Sequence, residues 1–225
     1  MVGYHPSNCP FCGASSENFM TAEQCSEKYE VRSEQVSKNV DRLNSHPALG
    51  LEHAAYKIDT GEGILWIDCP STFDKDEEEM EQILFTHPHF LGASNLYRDQ
   101  FSSQTWIHHS DSKSTFARGF KFDNAFENNF SLKGVEAFHI DGHTQGFTCY
   151  VFKNVLFICD YVFLKDDDMD FNPYGPREAT ERGAIQLREI LDEFKIEWVG
   201  GVDYAIDYSK WRNNFESLLQ KKKLL

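Results

Sequence analysis

The 225-residue chain has no run of about 18 apolar residues, so no membrane-spanning helix is expected. Positive charge is scarce: 22 Lys and Arg stand against 36 Asp and Glu, a formal net charge of −14. Nucleic acid and anionic bilayers reward basic patches, so neither is expected as a partner. The one basic run, Lys221-Lys222-Lys223, reads as the solvated end of a helix. Six cysteines do not form the dense pairing of a secreted disulfide framework, which points to a reducing compartment. Met1–Pro6 lacks a charged head followed by an apolar block, so no signal peptide is expected. No internal repeat is present, and no linker follows residue 50. Aromatics, by contrast, are plentiful. Nineteen Phe, nine Tyr and four Trp within a 40% hydrophobic content suffice for one large domain or one domain with a small appendage.

The cysteines divide into two groups. Cys69, Cys149 and Cys159 lie in apolar, strand-like runs and read as small core residues. Cys9 and Cys12 belong to a polar segment, and their Cys-x-x-Cys-Gly spacing lets two thiolates face one ion while Gly13 permits the turn beneath them. The run from Cys9 through Phe19 resembles the second knuckle of rubredoxin-like modules. The other Cys-x-x-Cys of such a module is missing, so further ligands for iron or zinc have to come from Cys25, from His5 or from a second subunit, which would make the chain a dimer. A metal-free remnant of the knuckle is the competing reading. Residues 1–27 are therefore separated as a knuckle segment from a main domain over residues 28–225.

Along the main domain, residues 28–45 fit both periods: Val36, Val40 and Leu43 a helix, Tyr29 and Val31 a strand. From there the spacing predicts a hairpin, Ala55–Asp59 and Ile64–Asp68, joined by a Gly-containing loop. Acidic residues 74–81 suit one or two helical turns. A strand over Ile83–Thr86, a helix over Ala93–Phe101 and a strand over Gln104–His108 follow, with Ser110-Asp111 capping the next segment. Strands are expected at Val135–His139, Phe147–Phe152, Val155–Cys159 and Ile196–Val202. Helices are expected at Pro176–Phe194, with Ile185, Leu187, Ile190, Leu191 and Phe194 inward, and at Ser209–Leu219. Lys165–Asp168 reads as a solvated loop, its spacing unlike that of a calcium loop. Strands punctuated by helices mean a layered α/β domain.

Chemistry concentrates at strand ends. Ile83-Leu84-Phe85-Thr86 runs into His87-Pro88-His89, where proline, having no N–H, ends the ladder and leaves two imidazoles near enough to share an ion. Gly142-His143-Thr144-Gln145-Gly146, Cys159-Asp160 and Gly200-Gly201-Val202-Asp203 each sit just past another strand. In order and spacing, these four marks resemble the metallo-β-lactamase-fold superfamily over roughly residues 53–205. The resemblance implies an αββα four-layer sandwich. It is nearest to plant and cyanobacterial members that carry an iron–sulfur module ahead of the sandwich, which would place the chain in a cytoplasm or a plastid stroma. His87, His89 and His143 match the three histidines of the family's first metal site, and Asp160 matches its metal-bridging aspartate. The family's Thr-His-x-His-x-Asp-His motif meets Leu91 and Gly92 at its last two positions, and Asp203 stands where a histidine is usual. The resemblance thus implies one metal ion, zinc or iron, on His87, His89, His143 and Asp160. With Leu91 unable to accept a proton, Asp203 is the candidate general base.

Three functions compete. A single-metal hydrolase of a thioester or related ester follows from the intact first site. An iron enzyme oxidising a small thiol or persulfide, with Cys9 and Cys12 relaying electrons, follows from the knuckle. A non-catalytic descendant serving as a binding scaffold follows from the losses at Leu91 and Gly92. His108 and His109 read as rim residues, His139 as exposed or as a donor behind the site, and His46 and His53 carry no argument. The small-molecule substrate has no motif of its own, and the Phe-rich run from Phe116 to Phe130 fits either a pocket lining or packing beneath a loop.

Overall fold

The computed structural model describes residues 5–9, 13–49, 53–166 and 168–225. Two sheets face each other. The first holds seven strands in chain order: β1 (Glu30–Ser37), β2 (Val40–His46), β3 (Ala55–Asp59), β4 (Ile64–Ile67), β5 (Gln82–Leu84), β6 (Gln104–His108) and β7 (Asn124–Phe126). From β1 to β4 the pairing is antiparallel; from β4 to β7 it is parallel. The second sheet is built from β8 (Phe130–Leu132), β9 (Val135–His139), β10 (Thr148–Phe152), β11 (Val155–Cys159), β14 (Trp198–Gly201) and β15 (Ala205–Asp207), in the order β15-β14-β11-β10-β9-β8. A separate hairpin of β12 (Val162–Lys165) and β13 (Asp168–Phe171) leaves this sheet after β11.

The core explains why these strands pair. Leu65 and Ile67 of β4 join Tyr56 and Ile58 of β3 against Tyr150 and Phe152 of β10 and Phe157 of β11, forming the layer between the sheets. Residues of opposite parity on the same strands point outward: Trp66 meets Tyr97 under one helix, while Cys149, Val151, Leu156 and Ile158 meet the helices over the second sheet. Strands β10 and β11 are buried at every position because both faces are covered, which is why they show no polar alternation. Each large side chain buried there contributes roughly 1.5–3 kcal/mol. The helices are α1 (Ala22–Ser26), α2 (Ser94–Phe101), α3 (His109–Ser112), α4 (Arg177–Leu191) and α5 (Tyr208–Lys221). With α2 outside the first sheet and α4 and α5 outside the second, the layers run αββα, as the sequence resemblance implied. No helix among the described residues is long and apolar enough to cross a membrane.

Several expectations change. The ambiguous stretch 28–45 becomes the β1–β2 hairpin, because its polar residues lie on the hairpin's open face and Val40 and Leu43 enter the core. Acidic residues 74–81 make turns without a helix. The residue capping α3 is His108, whose ring accepts from the Ser110 N–H, in place of Ser110-Asp111. On α4 the buried stripe runs through Ala179, Thr180, Gly183, Ala184, Leu187 and Leu191, and Ile185 is exposed. Lys165 and Asp168 pair across the β12–β13 turn; Asp167 lies outside the described residues.

Candidate metal centre

Strand ends deliver the cluster. β5 ends at Leu84, and three residues on His87 leaves the first sheet; His89 follows it on a single turn begun by Pro88. His143 comes from the loop between β9 and β10 of the second sheet. Asp160 follows Cys159, whose left-handed backbone (φ +46°) turns the chain as β11 ends. One ligand atom from each of His87, His89, His143 and Asp160 falls within 4.8 Å of every other. The three imidazole centroids stand 4.7, 5.0 and 4.9 Å apart, close to an equilateral triangle.

Hydrogen bonds behind the rings decide which nitrogens face inward. Thr86 Oγ1 has one proton and gives it to the Asp68 carboxylate, at 2.8 Å from Oδ2, so it can only accept from His87 Nδ1 at 2.9 Å. The Thr86 N–H also donates to Asp68 Oδ1 at 2.9 Å. His87 Nε2 is thereby left with a bare lone pair, buried and without a hydrogen-bond partner. His143 Nδ1 lies 2.5 Å from the Tyr174 carbonyl, which can only accept, so its Nε2 carries no proton and can itself only accept. That Nε2 stands 3.1 Å from His89 Nδ1. Asn172 Nδ2 donates to Asp160 Oδ2 at 2.9 Å, and Asp160 Oδ1 has no partner.

The centre has no fixed positive charge. Burial pushes His87 well below the usual histidine range, and takes His89 to about 3 and His143 to about 4. For His87 and His89 the neighbouring imidazoles add to the effect; for His143 the bond to Tyr174 opposes it. Burial, reinforced by the charge of Asp68, raises Asp160 to about 8. The approaches of Asp160 Oδ1 to His87 Nε2, 3.4 Å, and of Oδ2 to His143 Nε2, 3.6 Å, are therefore not ion pairs between an imidazolium and a carboxylate. They are neutral donors converging on one point. Two nitrogens bound to one zinc at 2.0–2.1 Å in tetrahedral geometry stand roughly 3.3 Å apart. The 3.1, 3.4 and 3.6 Å spacings match that requirement, and one divalent ion would satisfy both orphaned atoms.

Among the described residues no second group of metal-binding side chains is present. Leu91 is buried, and Gly92 adopts φ +53° with its missing Cβ pointed at the carbonyls of Cys69 and Pro70, 2.2 and 2.3 Å away. Phe90 stacks on His53 at 3.9 Å and meets the edge of His87 at 4.9 Å, putting aromatic rings beside the cluster. Gly92→Ala is expected to cost roughly 2–4 kcal/mol, combining left-handed strain with a backbone clash. A fall in the urea midpoint at unchanged slope would register it; an unmoved midpoint would refute it.

Other predicted residues lie elsewhere. Asp203 is exposed beyond β14 and its carbonyl accepts from Arg42 at 3.0 Å; it does not belong to the cluster, where Asp160 is the one carboxylate. Cys9 is half-buried and its N–H donates to the Ala14 carbonyl, while Cys12 lies outside the described residues. Cys25 is buried with its Sγ 3.2 Å from Thr72 Oγ1, and among the described residues Cys9, Cys25 and His5 form no metal-binding group. His108 and His139 stack on each other at 4.0 Å. Asp68, Asn172 and Tyr174 are supporting residues that the sequence reading did not single out, and the buried Asp111, read there as part of a helix cap, is another. Asp68 carried the one available signal, an apolar strand ending in aspartate, just as β11 ends before Asp160. Asp111 accepts from Thr144 Oγ1 at 2.6 Å and from the Gly146 N–H at 3.1 Å, tying the loop that carries His143 to the first sheet. A cleft of about 900 Å³ opens on His89 and His143, walled by Phe116, Tyr174 and the segment around α3.

No family model and no curated protein matches the sequence. Solved structures do. A metallo-β-lactamase from Pontibacter korlensis aligns with a TM-score of 0.68 at 16% identity, covering 85% of this chain and 99% of its own. An archaeal metallo-β-lactamase superfamily protein from Sulfolobus tokodaii gives 0.59 at 11%, with 81% and 87% covered. TTHA1623, crystallised in a di-iron-bound form, gives 0.55 at 20%, with 74% and 96% covered. The chain has the fold of the metallo-β-lactamases, with a group of three histidines and one aspartate able to hold a metal ion at its strand ends.

Proposed function

We propose that the chain is a hydrolase working with a single metal ion on a small thioester or related ester. The observation that carries this reading is the pair of orphaned buried atoms, His87 Nε2 and Asp160 Oδ1, facing one point beside the His89–His143 contact at the floor of an open cleft. His87, His89 and His143 hold the ion, with Asp160 beside them. When bound, such an ion polarises a carbonyl and lowers the pKa of a coordinated water to about 7. The chain's own residues do the rest. Asp68 through Thr86, and the Tyr174 carbonyl, fix the tautomers of His87 and His143. Asn172 occupies Asp160 Oδ2, so Oδ1 is the atom left to face the ion. Phe116 stands against the His89 ring at 4.2 Å and shields that side of the floor.

The test is elemental analysis of the purified chain together with hydrolysis of a short acyl thioester. One ion per chain and turnover that falls to background in His87→Ala are expected; metal-free protein, or a rate indifferent to His87→Ala, sinks the reading. The alternative of a non-haem iron enzyme for thiols or persulfides draws on the same donor set, which suits iron(II) as well as zinc, and on the di-iron form of TTHA1623. Iron as the resident metal, with oxygen-dependent thiol consumption and no hydrolysis, would favour it. In that case Cys9 and Cys12 regain a role as an electron relay.

A further inference from the structure

We propose that β1 is an interface strand: a second copy of this chain pairs with it antiparallel, about a twofold axis through Ser33, and continues the first sheet across a dimer. In the two main sheets four strands stand at an edge. Three of them, β7, β8 and β15, are three residues long, too short to template another chain. β1 is eight residues long, carries no proline or lysine, and pairs with β2 in unbroken register from Glu30 to Gln35. Its outer side is therefore a straight row of backbone N–H and C=O groups, ended by the bulge after Gln35. Burial does not account for so long a strand. Of its residues, only Val31 and Val36 pack against a core cluster. From Glu30 to Arg32 the hairpin also runs on past Leu43, the last β2 residue that pairs with β3. A two-stranded ribbon of that kind is marginal by itself, and a third strand would supply the missing pairing.

Charge selects which chain brings that strand. Glu30, Arg32 and Glu34 follow one another along one face of β1, and all three are exposed. A twofold axis through Ser33, normal to the sheet, sets Arg32 opposite Glu34 of the second copy, and symmetry repeats the pair. On β2, Arg42 is the register neighbour of Glu34. Each Glu34 then lies between Arg42 of its own hairpin and Arg32 of the other copy. Slipped registers lose this match. An axis through Arg32 brings the two Arg32 together and sets Glu30 against Glu34, while an axis through Glu34 opposes the two Glu34. Two copies that each carry a net charge of −14 repel as wholes, so association needs a locally complementary strip such as this one.

Sedimentation velocity of the purified full chain tests the proposal. Pairing over Val31–Gln35 buries far less than the ~800 Å² per partner of a stable complex, so a dissociation constant of roughly 10–100 µM is expected. Arg32→Glu turns both cross-strand pairs repulsive and weakens the dimer about 20-fold, and Glu34→Arg does the same. An equimolar mixture of the two variants restores two attractive pairs and associates as wild type does. Both positions are exposed, so the variants keep the wild-type circular dichroism. Hydrogen exchange of the amides from Val31 to Gln35 slows as the wild-type concentration is raised. A wild type that stays monomeric up to about 1 mM overturns the proposal. So does a dimer that Arg32→Glu leaves intact, which places the contact elsewhere on the chain. Variants that stay apart on mixing overturn it too, because the register through Ser33 requires them to pair.

Discussion

His143→Ala is expected to strip the centre of its metal, lowering zinc affinity by well over 100-fold. His143 is the imidazole that the second sheet contributes, from its β9–β10 loop, and its Nε2 lies 3.1 Å from His89 Nδ1. Losing it leaves two imidazoles on one turn and a carboxylate that burial holds protonated up to about pH 8. Asp68→Asn provides the graded comparison. It touches no ion, yet its carboxylate is what forces the Thr86 hydroxyl to accept from His87 and so bares His87 Nε2. An amide can donate to Thr86 Oγ1 and reverse that direction, so a loss of about 10- to 100-fold is expected, the usual range for residues that orient a ligand from behind. Competition with a chromophoric zinc chelator measures both. Equal affinities in wild type and His143→Ala would mean that the ion is held elsewhere, and an unaffected Asp68→Asn would mean that the Thr86 relay does not set the tautomer.

What was legible in the sequence follows from what is local. His87 and His89 announce themselves because an apolar strand runs straight into Thr-His-Pro-His, and His143 because glycines bracket it. Asp160 is legible for a related reason: β11 is an unbroken apolar run with an abrupt acidic end. The supporting residues are legible only in space. Asp68 sits 18 positions from Thr86, and Tyr174 acts through a backbone carbonyl, which no side-chain pattern encodes. Asp203 was chosen by its place in a motif, but a residue past a strand end can face solvent as readily as the centre, and here it is exposed. The same limit explains the elements. Helices α4 and α5 show their period, whereas β7, β8 and β13 are strands of three or four residues, too short to display one. Residues 28–45 carry both periods because β1 is an edge strand with little burial to impose alternation.

His53, silent in the sequence, gives the second large effect. It is buried, stacks on Phe90 at 3.9 Å and places Nε2 2.8 Å from the Cys69 carbonyl. Burial drives its pKa down to about 3, against which the Cys69 bond works only partly. Unfolded, the same ring titrates near 6.5. Above pH 6.5 neither state holds the extra proton, and the stability is fully present. Between 6.5 and 3 the unfolded chain binds a proton that the folded chain refuses, so stability falls as pH falls, by about 1.4 kcal/mol per unit. His53→Gln keeps an N–H for the Cys69 carbonyl and removes the titration. Relative to wild type, the variant should therefore gain roughly 3 kcal/mol on going from pH 7.5 to 4.5, whatever its offset at pH 7.5. Urea midpoints of both proteins in chelator test this, because the other histidines then titrate alike in each and cancel in the difference. Parallel pH curves for the two would refute it. A positive result places the acid lability beside the cluster, because the ring that refuses the proton is stacked on Phe90, itself set edge-on against His87.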